Sequence, residues 1–350
     1  MRFERRDHPS RVLTVLAPVG AIVAALLVSG LLIALAGANP IRAYGLILKG
    51  AFGSRLGLSE MLTRATPLIL TGLAAAIAFR ARLWNIGGEG QFYLGALGVT
   101  AFGMIPAVAA MPAGVVIPLS MAAGAVAGMI LLLVPLGLRL KFGVDEVVTT
   151  LLLNFVAVLF VSLMIDGVMK DPLAFGWPQS VPVPDSAVLP KLMDRTRLHV
   201  GLLIAAAMAV VVWWLQSRTV FGIRARAAGL NPRAAAFAGV PLGNTLIAVA
   251  CLSGGLAGLA GAIEVMGVKG YVTTDLSPNY GYSGIVIAML ANLNPIGVIG
   301  AALFSAIMFV GADSMSRALS IPSYIADVTV ALSLLTMLVA LFLAQYRIRR

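Results

Sequence analysis

Four polar side chains stand out in a chain otherwise built for an apolar solvent: Asn85, Glu89 and Gln91 in LWNIGGEGQF (83–92), and Asn154 in TTLLLNFVAV. One carboxylate and three amides can hydrogen-bond a neutral polar cargo. They can equally cap a helix or satisfy backbone groups freed where a helix breaks. Gly87 and Gly88 beside them allow a sharp turn, so Glu89 and Gln91 are placed at the start of a helix, with Asn85 closing the turn. Three readings of Glu89 stay open: a helix cap, a group facing a polar path, or a salt bridge to Arg80 or Arg82. Asn154 either faces the same path or hydrogen-bonds a neighbouring helix. Trp84, Phe92 and Tyr93 offer ring faces beside the bend, or act as interfacial anchors.

Other chemistry is missing. Two histidines far apart, His8 and His199, and a single cysteine, Cys251, provide neither a metal cluster nor a disulfide. No G-x-x-x-x-G-K-[ST], H-E-x-x-H or G-x-S-x-G string occurs, so the chain itself is not expected to hydrolyse ATP or act as a hydrolase. Intramembrane acids are scarce, which disfavours a proton- or sodium-coupled carrier working alone. Asp145, Glu146, Asp166, Asp313 and Asp327 read as span-end groups.

The elements that must position these residues are membrane helices. Hydrophobic residues make up 60% of the 350 and charged residues only 11%, well under the quarter usual in soluble domains. The expected fold is an all-α polytopic membrane protein of about ten spans, some broken or half-length, forming one permease-like domain over 1–350. The spans fall near 12–36, 61–79, 89–106, 115–138, 145–166, 199–215, 245–263, 283–293, 295–312 and 326–345. ANLNP (291–295) parts the eighth from the ninth too soon for both to cross, which predicts a half-helix breaking at Pro295. With both termini inside, 15 of the 25 Lys and Arg fall on that side, so the net charge of +11 follows the positive-inside rule and does not indicate nucleic-acid binding. Gly254 with Gly258, and Gly124 with Gly128, are spaced for close helix contacts.

Two connections are long. The outside loop, 167–198, is too rich in proline for regular helix. The inside loop, 216–245, predicts two short helices joined at GLNP, with Asn231 as N-cap and Pro232 at the first helical position. Its alanine and arginine pattern suits a docking surface.

Five strings, LWNIGGEGQFYLGALG, FGVDEVVTTLLLNFVA, DPLAFGWPQS, RARAAGLNPRAAAFAGV and GYSGIVIAMLANLNPIGVIGAAL, together resemble the permease subunit of bacterial ABC importers. They are most similar to the nucleoside branch of the simple-sugar and nucleoside permeases, with ribose or another simple sugar as the alternative cargo. The resemblance implies pairing with a second permease, a cytoplasmic ABC ATPase that binds ATP and Mg, and an extracytoplasmic substrate-binding protein. No cofactor is expected on this chain. It places the chain in the bacterial inner membrane, in contact with lipid, with cytoplasmic termini. It also assigns Arg224, Arg226, Gly229, Asn231 and Pro232 to the coupling helix that meets the ATPase, and leaves Asn85, Glu89, Gln91 and Asn154 to the cargo path. At the fifth span the familiar pattern is Asn-Glu, whereas this chain has Asp145-Glu146.

Overall fold

Apolar runs separated by glycine, proline and arginine become helices, and each of the nine segments expected after the first carries one. In the computed structural model, residues 2–5, 23, 27–31, 33–35, 37–320 and 322–349 are described. The expected first span therefore lies largely outside the described residues. The helices are α1 (Pro40–Phe52), α2 (Arg55–Arg80), α3 (Gly88–Gly103), α4 (Pro106–Ala109), α5 (Ala113–Phe142), α6 (Glu146–Asp166), α7 (Gly201–Arg218), α8 (Val220–Leu230), α9 (Pro232–Phe237), α10 (Leu242–Glu264), α11 (Tyr280–Leu290), α12 (Pro295–Leu319) and α13 (Ser323–Gln345). Among the described residues, six helices are long and apolar enough to cross a membrane, or seven if the bent pair Leu27–Leu35 and Pro40–Phe52 counts as one span. Of the four expected spans not among the six, the first and the last, 326–345, include residues whose side chains are not described, and the shortfall of the other two has a physical source. α3 has 16 residues and α11 has 11, so each is too short to span by itself.

The chain divides into two compact units, Met1–Leu62 with Leu303–Arg350, and Thr63–Ala302. In the first unit, Asn39 caps α1 by accepting from Ile41 N at 2.9 Å and Arg42 N at 3.2 Å. Close approach of helix backbones here depends on small residues: a Cβ added at Gly50 would overlap Ser314, and one at Gly311 would lie 2.5 Å from the Ile47 side chain. A four-residue antiparallel ribbon joins the chain's ends, Arg2–Arg5 with Tyr346–Arg349.

The second unit is organised around α10. Its GGLAGLAGA run presents glycines where other backbones must approach. A Cβ on Gly258 would overlap the carbonyl oxygen of Gly124, one on Gly128 that of Gly254, and one on Gly261 that of Phe92. The two glycine pairs recognised in the sequence thus meet each other, and Gly95 of α3 joins the seam against Gly258. Helices α5, α6 and α7 pack at the periphery and leave an apolar face open, as Leu152, Phe155, Leu159 and Leu163 of α6 illustrate. α5 ends at Gly143 in the left-handed conformation (φ 68°), and Asp145 then caps α6 by accepting from Val147 N at 2.8 Å. Asn and Asp cap equally well, which explains why the departure from Asn-Glu at this position is tolerated.

The proline-rich 167–198 loop forms no α-helix, only the short turn Asp185–Ala187. It is nonetheless ordered against the chain beyond α10. Leu189 N donates to Met266 O (2.9 Å), Val183 N to Gly270 O (2.8 Å) and Ser180 N to Val272 O (3.0 Å).

Candidate functional site

α2 ends with Leu83 N donating to Ala78 O and Arg82 N to Phe79 O, both at 3.0 Å, and Arg82 takes the left-handed conformation at φ 52°. This closing motif usually has glycine at the left-handed position. The chain then runs without regular structure from 83 to 86, with Asn85 N turning back to Leu83 O at 2.9 Å, and turns at Gly87 into α3, which begins at Gly88. Such a segment has no ladder of its own, so most of its backbone groups need partners from elsewhere.

Helix α6 supplies them at four-residue intervals, the spacing that lines one helix face. The Glu146 carboxylate accepts from Trp84 N at 3.4 Å, and the Thr150 hydroxyl accepts from Ile86 N at 3.2 Å. The Asn154 side chain donates to Ile86 O at 2.9 Å and accepts from Gly90 N at 2.8 Å. Eight residues of helix correspond to about 12 Å, and over that rise α6 serves Trp84 and Ile86 before α3 and Gly90 in its first turn. At its foot, Arg139 pairs with Glu146 at 2.6 Å and donates to Arg82 O at 3.3 Å.

Asn85 and Gln91 close the other side. Their amides exchange two hydrogen bonds, Asn85 Nδ2 to Gln91 Oε1 at 2.9 Å and Gln91 Nε2 to Asn85 Oδ1 at 2.8 Å. Asn85 also accepts from Gly87 N at 2.9 Å and donates to Ser253 Oγ at 3.0 Å, while Ser253 donates to Ala74 O at 2.8 Å. The cluster therefore ties the bend to α2 and α10.

Glu89 lies where two helices begin. It is in the first turn of α3, and its Oε2 accepts from Gly281 N at 2.7 Å in the first turn of α11. A side-chain hydrogen bond to Ser277 completes its surroundings. Two helix N-termini converging on one carboxylate favour negative charge there. Contact is tight, since a Cβ on Gly281 would overlap Glu89 N. Tyr93 fastens the preceding loop, donating to Thr274 O at 2.6 Å and accepting from Ser277 N at 3.2 Å.

The structure thus brings Asn85, Glu89, Gln91 and Asn154 together around one bend, all at or below 5% exposure, and each is bonded to the chain itself. Glu89 reaches Gly281, and neither Arg80 nor Arg82. Of the three aromatics, Phe92 and Tyr93 are buried, and only Trp84 is exposed, beside Phe79 with ring centroids 4.9 Å apart. Glu146, expected only as a span-end group, and Thr150, Ser253 and Gly281, not singled out in the sequence, complete the site. The first two had a legible signal, polar residues at 146, 150 and 154 in an otherwise apolar helix. Glu264, buried in α10, was a further acid within an apolar run.

The inside loop folds as two short helices meeting at Asn231, whose side chain accepts from Ala234 N at 3.1 Å, with Pro232 opening α9. Arg224, Arg226, Asn231 and Pro232 are exposed, together with Ile223, Leu230 and Phe237, the last 97% exposed. Gly229 faces the other way: a Cβ there would overlap the carbonyl oxygen of Arg80. It seats α8 on the end of α2, and the Arg80 guanidinium donates to Gln216 at the end of α7.

A half-helix opposed to a broken span, with a helical pair outside the spans, is transporter architecture. A family model described as branched-chain amino acid transport system / permease component matches residues 57–341. The chain belongs to that family. It is a multi-pass membrane permease, a transport component of an ABC system. The permease is 35% identical to the glucose ABC transporter permease protein TsgB13 of Haloferax volcanii, with 95% of this chain and 89% of that protein covered. It is 31% identical to the guanosine ABC transporter permease protein NupP of Bacillus subtilis, with 93% of each covered. Among solved structures, PsaBC from Streptococcus pneumoniae, in complex with Fab, shares the fold at a TM-score of 0.50 and 12% identity, over 85% of this chain and 95% of that one.

Proposed function

We propose that the permease forms half of the path of an ATP-driven nucleoside importer, paired with a second permease. A cytoplasmic ATPase holding ATP and Mg drives it, and an extracytoplasmic binding protein loads it. The observation that carries the ATP-driven reading is the α8–α9 pair, which presents Ile223, Leu230 and Phe237 to solvent between arginines. Large exposed apolar groups rimmed by charge mark a protein-binding surface. Arg224, Arg226, Asn231 and Pro232 belong to that surface, and Gly229 fixes its seat on α2.

The nucleoside assignment rests on the WPQS and DEVVTTLLLN strings together with the likeness to NupP. TsgB13 supports a sugar as the second reading. Asn85, Glu89, Gln91 and Asn154 act on the path by shaping its wall, because their polar atoms are engaged within the chain. Pairing of the two chain ends supports both termini on one face, the cytoplasmic one by the arginine count.

Proteoliposomes holding the full complex, offered labelled guanosine and labelled glucose, test the cargo. ATP-dependent guanosine uptake that glucose does not compete is expected; uptake of glucose alone moves the cargo to sugars. Cysteines at Pro178 and Phe237 are expected to react with impermeant reagents from opposite faces, and reaction from the same face overturns the topology.

A further inference from the structure

The irregular segment between α2 and α3 is tied at both ends and along its length. At its lower end, Gly229 of α8 rests on the Arg80 carbonyl and the Ala81 backbone, so close that no side chain fits between. At its upper end, Glu89 holds Gly281 N at 2.7 Å, and Asn154 Nδ2 donates to Tyr282 Oη at 3.0 Å. Both contacts are with the first turn of the 11-residue helix α11. Between the ends, Glu146, Thr150 and Asn154 bond the segment's backbone at every second residue or so.

An irregular chain left free absorbs displacement by rotating about φ and ψ. Bonded repeatedly to one face of a straight helix, it loses that slack and passes a push or pull along its length. We infer that Glu146, Thr150 and Asn154 are positioning residues for transport. They make 81–90 a strut that carries movement of the α8–α9 pair to the half-helix α11. The inference rests on the proposed docking of the ATPase at α8–α9, and it does not depend on what the cargo is. α11 is suited to respond: it is short, it is preceded by Asn279 in the left-handed conformation (φ 65°), and it is followed by Asn292 and Leu293, also left-handed at 50° and 58°. Such positions are where backbone rotation concentrates in hinged elements.

The test needs no cargo. In the assembled complex, Ser283→Cys on α11 is labelled with a maleimide, without nucleotide and with ATP plus vanadate, in a Cys251→Ala background. A change in labelling rate of about threefold or more is expected on trapping. With Thr150→Val and Asn154→Leu, which remove the ties to Ile86 and Gly90 and leave only that of Glu146 to Trp84, that change is expected to vanish. Co-purification with the ATPase is expected to persist. Thr150→Ser alone, which keeps the acceptor oxygen, is expected to retain the change; a purely structural loss would not be rescued that way. Full nucleotide-dependent labelling in the double variant overturns the inference, as does the absence of any change at position 283 in the unaltered strut. Should the double variant fail to assemble, Thr150→Val alone is read by the same criterion. Failure of guanosine uptake leaves this readout untouched.

Discussion

Asn85→Leu removes four hydrogen bonds while keeping the number and branching of the side-chain heavy atoms. The loss is not shared evenly among their partners. Both polar atoms of the Gln91 side chain and Gly87 N lose the bond they make with Asn85, whereas Ser253 keeps its bond to Ala74 O. Each buried polar group left unpaired costs about 1–3 kcal/mol, so the three together cost about 3–9 kcal/mol, a large part of the usual 5–15 kcal/mol margin. Gln91→Leu is milder, at about 1–2 kcal/mol, because Asn85 keeps Ser253 and Gly87. Changing both residues to leucine orphans only Gly87 N, so the double variant should be more stable than Asn85→Leu alone. Cys251, the one cysteine and partly buried, permits a direct assay: the thermal midpoint for its reaction with a thiol-activated dye in detergent. The expected order of midpoints is wild type, Gln91→Leu, the double variant, then Asn85→Leu. If Gln91→Leu is as damaging as Asn85→Leu, or the two losses simply add, the mutual-satisfaction account of the bend is wrong.

Gly261→Val drives a branched side chain into the Phe92 carbonyl and is expected to abolish folded protein on size-exclusion, while Gly137→Ala, with open space around it, is expected to be neutral or slightly stabilising. Ser253→Ala removes one donor and one acceptor at the bend and is expected to lower stability by about 1–2 kcal/mol in the same dye assay. His199, ahead of α7, is buried between Gly201 and Gly267, and that burial, helped by the Lys191 ammonium, pushes its pKa down to about 4. Above pH 6.5 the imidazole is neutral both folded and unfolded; between 6.5 and about 4 only the unfolded form takes the proton. Stability is therefore expected to fall by up to about 3 kcal/mol across that window. Hydrogen exchange of 167–199 as a function of pH reads the effect, and His199→Gln is expected to flatten the slope whatever its baseline.

Much of this protein was legible residue by residue, because its rules are local. Apolar runs had to become helices, since only a helix satisfies its own backbone in hydrocarbon. Asn231 before Pro232 had to open a short helix; Asn39 before Pro40 opens α1 in the same way, a helix that the expected spans did not include. Gly254 and Gly258 announced a close contact by their spacing, as did Gly124 and Gly128. Gly87-Gly88 announced a turn, with Glu89 in the first helical turn after it. None of those rules names a partner. That the two glycine pairs meet each other, that Glu89 answers Gly281 from 192 residues away, and that Gly229 belongs to the end of α2 are outcomes of helix packing. The fate of the polar residues was decided there too. Asn85, Gln91 and Asn154 have the same hydrogen-bonding capacity whether they face a cargo or a neighbouring backbone, and sequence alone leaves both open. Packing placed an irregular stretch against α6, its unpaired N–H and C=O groups had to be satisfied away from water, and those amides were within reach.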